Sequence, residues 1–220
     1  MPEGLRAANS TRGRALVTTS VERPVTIAVA GTHSTGKTTF IARLSHELRR
    51  DKITVAHVAD LGEQAMSLGL PLLDNHTWAS TLWFITKGIS KEIEAWNRAD
   101  VVLVDRPVAD ALGYYRAALA YRGEELEPDH MVMLESLAQH HSSNYDLLFK
   151  TTLDPTIPLG DNKERDSNAR FRHLADVHVD GVLDDLGLPH ELLAVDGHDD
   201  ALAHALRFVY GHLSGGIGAF

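Results

Sequence analysis

Residues 26–40 of the chain read TIAVAGTHSTGKTTF. The stretch begins with five residues suited to a buried strand and continues into residues 31–38, which fit the pattern G-x4-G-K-[ST] without a mismatch. The residues that follow show the spacing of one helical face, at Phe40, Ile41, Leu44 and Leu48. A strand, a glycine-rich loop and a helix in this order predict a phosphate-binding loop, or P-loop. A glycine turn that matches by chance is disfavoured because both flanking elements fit as well.

The predicted loop indicates that the protein binds a nucleoside triphosphate. The residues expected to contact it are Gly31, Thr32, His33, Ser34, Thr35, Gly36, Lys37, Thr38 and Thr39. The two glycines let successive N–H groups point at a phosphate, and the positive N-terminal end of the helix adds to them. Lys37 would reach the β- and γ-phosphates, and the Thr38 hydroxyl would bind Mg²⁺. His33 would either touch phosphate or face solvent.

Length and composition limit the class of protein. The chain has 220 residues, enough for one α/β domain with a sizeable core. Its net charge of −9 argues against nucleic-acid binding and against docking on anionic membranes. The absence of Cys excludes disulfides and thiolate sites and is compatible with a cytoplasmic location, which we expect. The sequence is compatible with a homodimer but does not fix the oligomeric state.

Strand-like and helix-like stretches alternate along the chain, which predicts βαβ units and a five-stranded, mostly parallel sheet flanked by helices. The predicted strands are Val25–Ala30, Thr54–Val58, Val101–Val104, Leu147–Thr151 and Leu192–Val195. Beyond the helix of the P-loop, the predicted helices cover residues 78–96, 108–119 and 129–141, with a last one opening at Asp199. We expect flexible tails at 1–23 and 214–220 and a single P-loop domain at 24–213.

The third strand-like run ends in a carboxylate, Asp105, as in the Walker B pattern. Its strand should lie near that of the P-loop, so Asp105 could hold Mg²⁺ directly or through water. The alternative is a residue that caps the next helix. Arg106 follows, where many hydrolytic ATPases place a water-activating Glu. This difference favours transfer of the phosphoryl group to a bound acceptor over hydrolysis.

A basic segment, residues 161–172, follows the fourth strand. It begins with a sequence similar to the guanine-reading N-K-x-D motif, but Arg165 stands in place of the Asp. Its cations are Lys163, Arg165, Arg170 and Arg172. In a kinase such a segment could close over the phosphates as a lid. The alternative is a solvated helix start with i,i+4 ion pairs, and composition alone favours it.

Asp60 ends the second strand-like run, and the carboxyl ends of parallel strands face the ligand crevice. It could accept the proton of an attacking hydroxyl, or it could cap the helix that follows. Asp105 should be engaged by Mg²⁺ or Arg106, whereas Asp60 has no partner evident in the sequence. We therefore expect Asp60 to be the freer proton acceptor.

Two other groups of residues, the histidines and the aromatic residues of the long helix, are considered as possible functional sites. The 13 histidines include no H-E-x-x-H pattern, so we reject a metal site built from them. Trp78, Trp83 and Phe84 could stack on a flat acceptor, but aromatic side chains in a long helix are more often core. We expect core.

These motifs together resemble the small P-loop kinases of the nicotinamide riboside kinase and AAA-28 ATPase type, relatives of deoxynucleoside and thymidylate kinases. The resemblance spans about residues 25–210 and is most specific at residues 31–39 and 104–110, the latter reading VDRPVAD. It implies a five-stranded parallel core, Mg-ATP as the phosphoryl donor and an active site with Asp105 and Arg106. It also implies a lid carrying arginines, which raises Arg165 and Arg170 to catalytic candidates.

Two functional hypotheses follow. The first is a kinase that transfers the γ-phosphoryl group of ATP to a small nucleoside- or nucleotide-like acceptor, with Lys37, Asp60, Asp105, Arg106, Arg165 and Arg170 as catalytic residues and Thr38 and Asp105 as metal ligands. The second is a nucleotide-dependent regulatory ATPase or switch that acts through a protein partner. Arg106 and the basic segment favour the kinase.

Overall fold

The structure, a computed structural model, describes residues 23–153 and 168–215, the last of these without its side-chain environment. Its sheet contains five parallel strands in the order β2-β3-β1-β4-β5. They are β1 (Val25–Ala30), β2 (Val55–Val58), β3 (Val101–Asp105), β4 (Leu147–Thr151) and β5 (Glu191–Leu193). The predicted α/β fold with a five-stranded parallel sheet is confirmed. The fifth strand lies one residue earlier than predicted and is shorter.

Seven α-helices are described. They are α1 (Lys37–Arg50), α2 (Gly62–Ser67), α3 (Trp78–Trp96), α4 (Val108–Arg122), α5 (Pro128–Ser142), α6 (Ala169–Asp185) and α7 (His198–Gly215), and a 3-10 turn spans Leu73–Asn75. In the described part of the chain, no helix is both long enough and apolar enough to cross a membrane.

The core lies on both faces of the sheet, because the apolar residues of the central strand alternate between them. Ala28 and Ala30 of β1 pack in a cluster with residues of α3, α4, α5 and α6. Ile27 and Val29 pack in a second cluster with α1 and α7. All six residues of β1 are buried. A parallel sheet covered on both faces needs such continuous apolar strands, which explains why the sequence reads as runs of apolar residues.

The register of the strands brings the chemistry-bearing loops together. Val29 of β1 lies beside Asp105 of β3, so the P-loop begins next to the Walker B carboxylate. Val58 of β2 lies beside Val104 of β3, so the residues that follow these two strands are also neighbours. The carboxyl ends of β1, β2 and β3 therefore form one edge, where ligands bind in open α/β sheets.

Helix α6 overlaps the end of the segment 161–172, for which the sequence analysis left open a lid or a helix start, and its extent to Asp185 was not predicted. Residues 169–172 form its first turn, capped by the Asn168 side chain, which accepts a hydrogen bond from the Phe171 N–H at 3.1 Å. Phe171 and Arg172 are buried. Residues 161–167, including Lys163 and Arg165, lie outside the described residues.

At each end of the predicted domain, 24–213, the described structure includes residues that were assigned to the tails. Arg23, assigned to the N-terminal tail, forms an ion pair with Asp146 at 2.8 Å. Helix α7 continues to Gly215, two residues beyond the predicted end of the domain. Residues 1–22 and 216–220 are outside the described part, so the tails remain predictions.

Candidate active site

The P-loop connects β1 to α1, and its two glycines are required by its geometry. Gly31 has φ of 129° and Gly36 has φ of 88°. A Cβ atom at Gly31 would lie 2.1 Å from Thr151 Oγ1, so a side chain there would overlap the neighbouring strand. Ser34 also adopts a positive φ, 57°, and completes the curl of the loop. This concave backbone is the arrangement that cradles phosphate oxygens.

Hydroxyl groups hold the loop in this shape. Thr35 Oγ1 donates to the Thr32 carbonyl at 2.9 Å and lies 2.6 Å from Thr151 Oγ1. Thr151 Oγ1 also donates to the carbonyl of Ala30 at 3.1 Å. Thr151 thus ties the P-loop to the end of β4. The sequence analysis placed Thr151 in a strand but assigned it no role, because nothing in the sequence shows that β4 pairs with β1.

Lys37 lies under the loop and is 5 % exposed. Its ammonium group donates to the Thr32 carbonyl and lies 3.5 Å from Thr35 Oγ1. Burial, and secondly the positive charge of Arg106, lower the pKa of Lys37. A phosphate group at this position would supply the negative charge that favours the ammonium form.

Thr38 and Asp105 form the candidate metal site. Thr38 Oγ1 donates to Asp105 Oδ2 at 2.7 Å, so the structure brings the two predicted ligands together. Both offer oxygen, the ligand that Mg²⁺ prefers, and Mg²⁺ commonly takes one or two protein groups with phosphates and water. Within the described ranges there is no cluster of three or more His, Asp or Glu side chains that could hold a metal by itself. The donor set therefore fits a Mg²⁺ ion shared with phosphate.

Asp60 is paired with Arg106, a contact not evident in the sequence, which argues against the expectation that Asp60 is the freer proton acceptor. Arg106 Nε donates to Asp60 Oδ2 at 2.9 Å, and the Gly62 N–H donates to Asp60 Oδ1 at 2.7 Å. Burial would raise the pKa of Asp60, but Arg106, the Gly62 N–H and Lys37 outweigh it, so the pKa is lowered. A carboxylate with a lowered pKa is a weak proton acceptor.

Arg106 is held in a demanding conformation. Its φ of 72° lies in the left-handed region, which costs a residue with a side chain about 1–2 kcal/mol. Its N–H donates to the Val29 carbonyl at 3.2 Å, and its guanidinium lies 4.9 Å from the ring centroid of Tyr114. These contacts aim the cation into the edge where β1, β2 and β3 end.

A cavity of about 370 Å³ opens at this edge. His33 of the P-loop, Asp60, Asp105 and Arg106 line it on the phosphate side. Apolar side chains dominate the rest of its wall, among them Val58, Met66, Leu72, Leu73, Phe84 and Val108. An apolar cavity with a few convergent polar groups is typical of a small-molecule site.

Phe84 departs from the expectation that the aromatics of α3 are core. It lines the cavity, where its ring centroid lies 5.3 Å from that of His76. Trp78 instead packs against the core cluster of α3 to α6, as expected. Burial, and secondly the charge of Arg106, lower the pKa of His76 to about 4, so this ring is neutral at pH 7. A neutral imidazole beside a phenyl ring suits an uncharged planar group.

Asp110 was missed as a site residue. It is 2 % exposed, lines the cavity and accepts a hydrogen bond from the Gly31 N–H at 3.1 Å on Oδ2. Burial raises its pKa, although Arg106 and Lys37 act in the opposite direction. Its only sequence signal was its place in the stretch 104–110, on which the family resemblance rests.

The arginines after β4 are arranged differently from the prediction. Arg170 is exposed, with its guanidinium 5.1 Å from the ring centroid of Tyr121, whereas Arg172 is buried and donates to the Ser34 carbonyl at 3.2 Å. Of these two, it is Arg172 that contacts the P-loop. Arg165 lies outside the described residues.

The sequence matches the family AAA_28, an AAA domain family, over residues 26–198. The chain belongs to this family. It thus has a P-loop nucleotide-binding domain, in agreement with the loop described above. No curated protein matches the sequence.

Several solved structures resemble this AAA_28 chain in fold. The NadR protein in complex with NR has a TM-score of 0.57 at 18 % identity, covering 86 % of this chain and 50 % of that one. Deoxyadenosine kinase from M. mycoides, with dCMP and dCDP bound, has a TM-score of 0.55 at 12 % identity, covering 85 % and 100 %. Thymidylate kinase from Ehrlichia chaffeensis also has a TM-score of 0.55, at 13 % identity. The match covers 86 % of this chain and 100 % of the thymidylate kinase chain.

At these identities the similarity shows the fold alone. This chain also spans only about half the length of the NadR chain. The comparisons therefore confirm a P-loop kinase-like fold and leave the acceptor to be argued from the site.

Proposed function

We propose that the protein is a kinase that transfers the γ-phosphoryl group of ATP to a small nucleoside- or nucleotide-like acceptor. The observation that carries the proposal is that the P-loop and the cavity share one edge. His33 belongs to the loop and lines the cavity, and Asp105 lines the cavity and contacts Thr38. An acceptor in the cavity would face a γ-phosphate bound by the loop, as in-line transfer requires.

The residues have separate tasks in this proposal. The N–H groups of the P-loop and Lys37 bind the phosphates of ATP. Thr38 and Asp105 hold Mg²⁺, which neutralises phosphate charge when bound. Arg106, aimed by Asp60 and Tyr114, faces the charge that develops on the transferred group.

The wall of the cavity supports an acceptor with a planar, uncharged part. Phe84 and the neutral His76 ring offer flat surfaces, and the remaining wall is largely apolar. The three similar structures, whose printed names mention NR, deoxyadenosine and thymidylate, agree in the class of molecule. We therefore favour a nucleoside- or nucleotide-like acceptor over a simple sugar alcohol.

The proposal is tested by ADP formation with a panel of acceptors. The panel contains NR, deoxyadenosine, thymidylate, other nucleosides and nucleotides, and sugar alcohols. We expect negligible ATP turnover by the protein alone and a strong increase with one class of nucleoside or nucleotide. Fast turnover that no panel member changes would contradict the kinase and favour the regulatory ATPase.

A further inference from the structure

One face of α3 forms part of the cavity wall, and the middle residue of this face has no side chain. Phe84, Gly88 and Glu92 line the cavity. They follow one another at every fourth position, which places them on one face of the helix. Gly88 lies in the interior of α3, far from either end. The wall therefore has a gap at Gly88, next to the aromatic ring of Phe84.

Neither the backbone nor the helix requires a glycine at this position. Gly31 and Gly36 of the P-loop have a positive φ, whereas Gly88 is not among the residues with a positive φ and lies within a regular helix. In a helix interior Gly is less favourable than Ala. An alanine at position 88 would therefore suit α3 better than the glycine does.

Packing places only a weak restriction on position 88. A Cβ atom there would lie 3.1 Å from Val108 Cγ1, and outside its own helix it would meet no other described atom within 4 Å. A shift of a few tenths of an ångström relieves such a contact. At Gly31, by contrast, a Cβ would lie 2.1 Å from Thr151 Oγ1. Gly88 is buried, yet the space in front of it is nearly empty, so this space belongs to the cavity.

The space at Gly88 is a slot between α3 and α4. Its residues are Phe84 and Gly88 of α3 and Val108 and Ala111 of α4, all of which line the cavity. Val108 and Ala111 are three residues apart and share one face of α4. Gly88 and Ala111 are small, so each helix leaves room here. A slot with small residues on both sides and an aromatic ring beside it fits a flat ring better than a bulky saturated group.

We propose that Gly88 is a specificity-determining residue that keeps this slot open for the planar base of the acceptor. The inference rests on the proposed kinase function and deepens it, because it assigns the base to a defined part of the cavity. The base lies in the slot against Phe84, and the sugar points to the edge where His33 and Asp105 line the same cavity. A methyl group at position 88 takes the place of the base and leaves the ATP site unchanged.

The first test compares Gly88→Ala with Gly181→Ala in the full chain, with ATP as donor and NR, deoxyadenosine and thymidylate as acceptors. Gly181 lies within α6, where a Cβ would meet nothing within 4 Å, so it is the matched control. We expect Gly88→Ala to lower kcat/KM for the acceptor by about 10- to 200-fold, the usual effect of one methyl group in an apolar pocket. KM for ATP should not change, and the control should behave as the wild type.

The outcomes separate this inference from the proposed function. An acceptor kcat/KM of Gly88→Ala equal to that of the control would overturn the role of Gly88 and leave the kinase intact. A rise in KM for ATP as large as the loss toward the acceptor would also overturn it, because it would show a general distortion of the site. If the wild type phosphorylates none of the three acceptors, the proposed function fails, and the inference with it.

A second variant keeps the inference testable if Gly88→Ala fails to fold. Ala111→Val narrows the slot from α4, and Ala120→Val is its matched control, since Ala120 lies exposed on the same helix. We expect Ala111→Val to lower kcat/KM for the acceptor by about 10-fold or more, with KM for ATP unchanged. Equal acceptor kcat/KM values for Ala111→Val and Ala120→Val would show that the base does not occupy the slot.

Discussion

At the scale of single residues, the burial of the Lys37 ammonium group is unfavourable for folding. A buried ammonium group loses solvation, which is why its pKa is lowered. Among the described residues, its hydrogen bonds reach the P-loop alone, at Thr32 and Thr35. Its removal should therefore leave the core unchanged.

We predict that Lys37→Ala abolishes phosphoryl transfer and weakens ATP binding, because the charge that attracts the β- and γ-phosphates is lost. The melting temperature should not fall. Lys91→Ala is the matched control, since Lys91 lies on the surface of α3 and forms an exposed ion pair with Glu94 at 3.3 Å. Calorimetric titration with Mg-ATP and thermal melting test both variants. Unchanged ATP affinity in a folded Lys37→Ala protein would contradict the role of the loop.

The residues that could be predicted from the sequence are those whose partners are close in the chain. Gly31, Gly36, Lys37 and Thr38 belong to one continuous motif, and Asp105 follows an apolar run. The pairing of Asp60 with Arg106 could not be predicted, because it depends on β2 and β3 being neighbours. Asp110 and Thr151 were missed for the same reason, since both act on Gly31 from distant segments.

At the scale of the elements, the crossing of α4 and α6 supports the helix that carries Asp110. The two helices approach so closely at Gly113 that a Cβ there would lie 2.5 Å from Val179 Cγ2 and 2.6 Å from its Cα. Backbone this close cannot shift without moving a whole helix. The same α6 also carries Arg172, which contacts the P-loop.

We predict that Gly113→Ala destabilises the protein by about 1–3 kcal/mol, the usual cost of overpacking a core. Gly181→Ala is the matched control in α6. A methyl group there meets nothing within 4 Å, so it should stabilise the protein by about 0.5–1 kcal/mol through the better helix propensity of Ala. Urea unfolding of both variants measures the difference. Equal effects of the two substitutions would show that the crossing is less tight than described.

Elements were predictable where their apolar spacing was regular. The long helix α3 follows the predicted range 78–96, although Ile93 of its apolar series is 43 % exposed. The start of α6 was open in the sequence analysis as the alternative to a lid, but its length was missed because charges dominate the preceding sequence, and its buried Phe171 and Arg172 were included in the basic segment. Charge pattern could not show which side of this helix packs against α4.

At the scale of the whole molecule, the fold produces the site by placing separate loops at one edge. The P-loop follows β1, Asp60 follows β2, and Asp105 and Arg106 follow β3. The order β2-β3-β1 makes these three strands neighbours, so the phosphate loop and the cavity meet at one edge, and Thr151 of β4 holds the loop from the other side of β1. The arrangement therefore suits a reaction between two bound molecules.

The most direct test of the central claim follows the fate of the phosphoryl group. The protein is incubated with ATP labelled in the γ-phosphoryl group and with the acceptor that raises ADP formation most, and the label is separated into phosphorylated acceptor and inorganic phosphate. We predict that nearly all transferred label is found in the acceptor, in equal amount to the ADP formed, and that Lys37→Ala transfers none. Label recovered as inorganic phosphate, in the same amount with and without acceptor, would contradict the account.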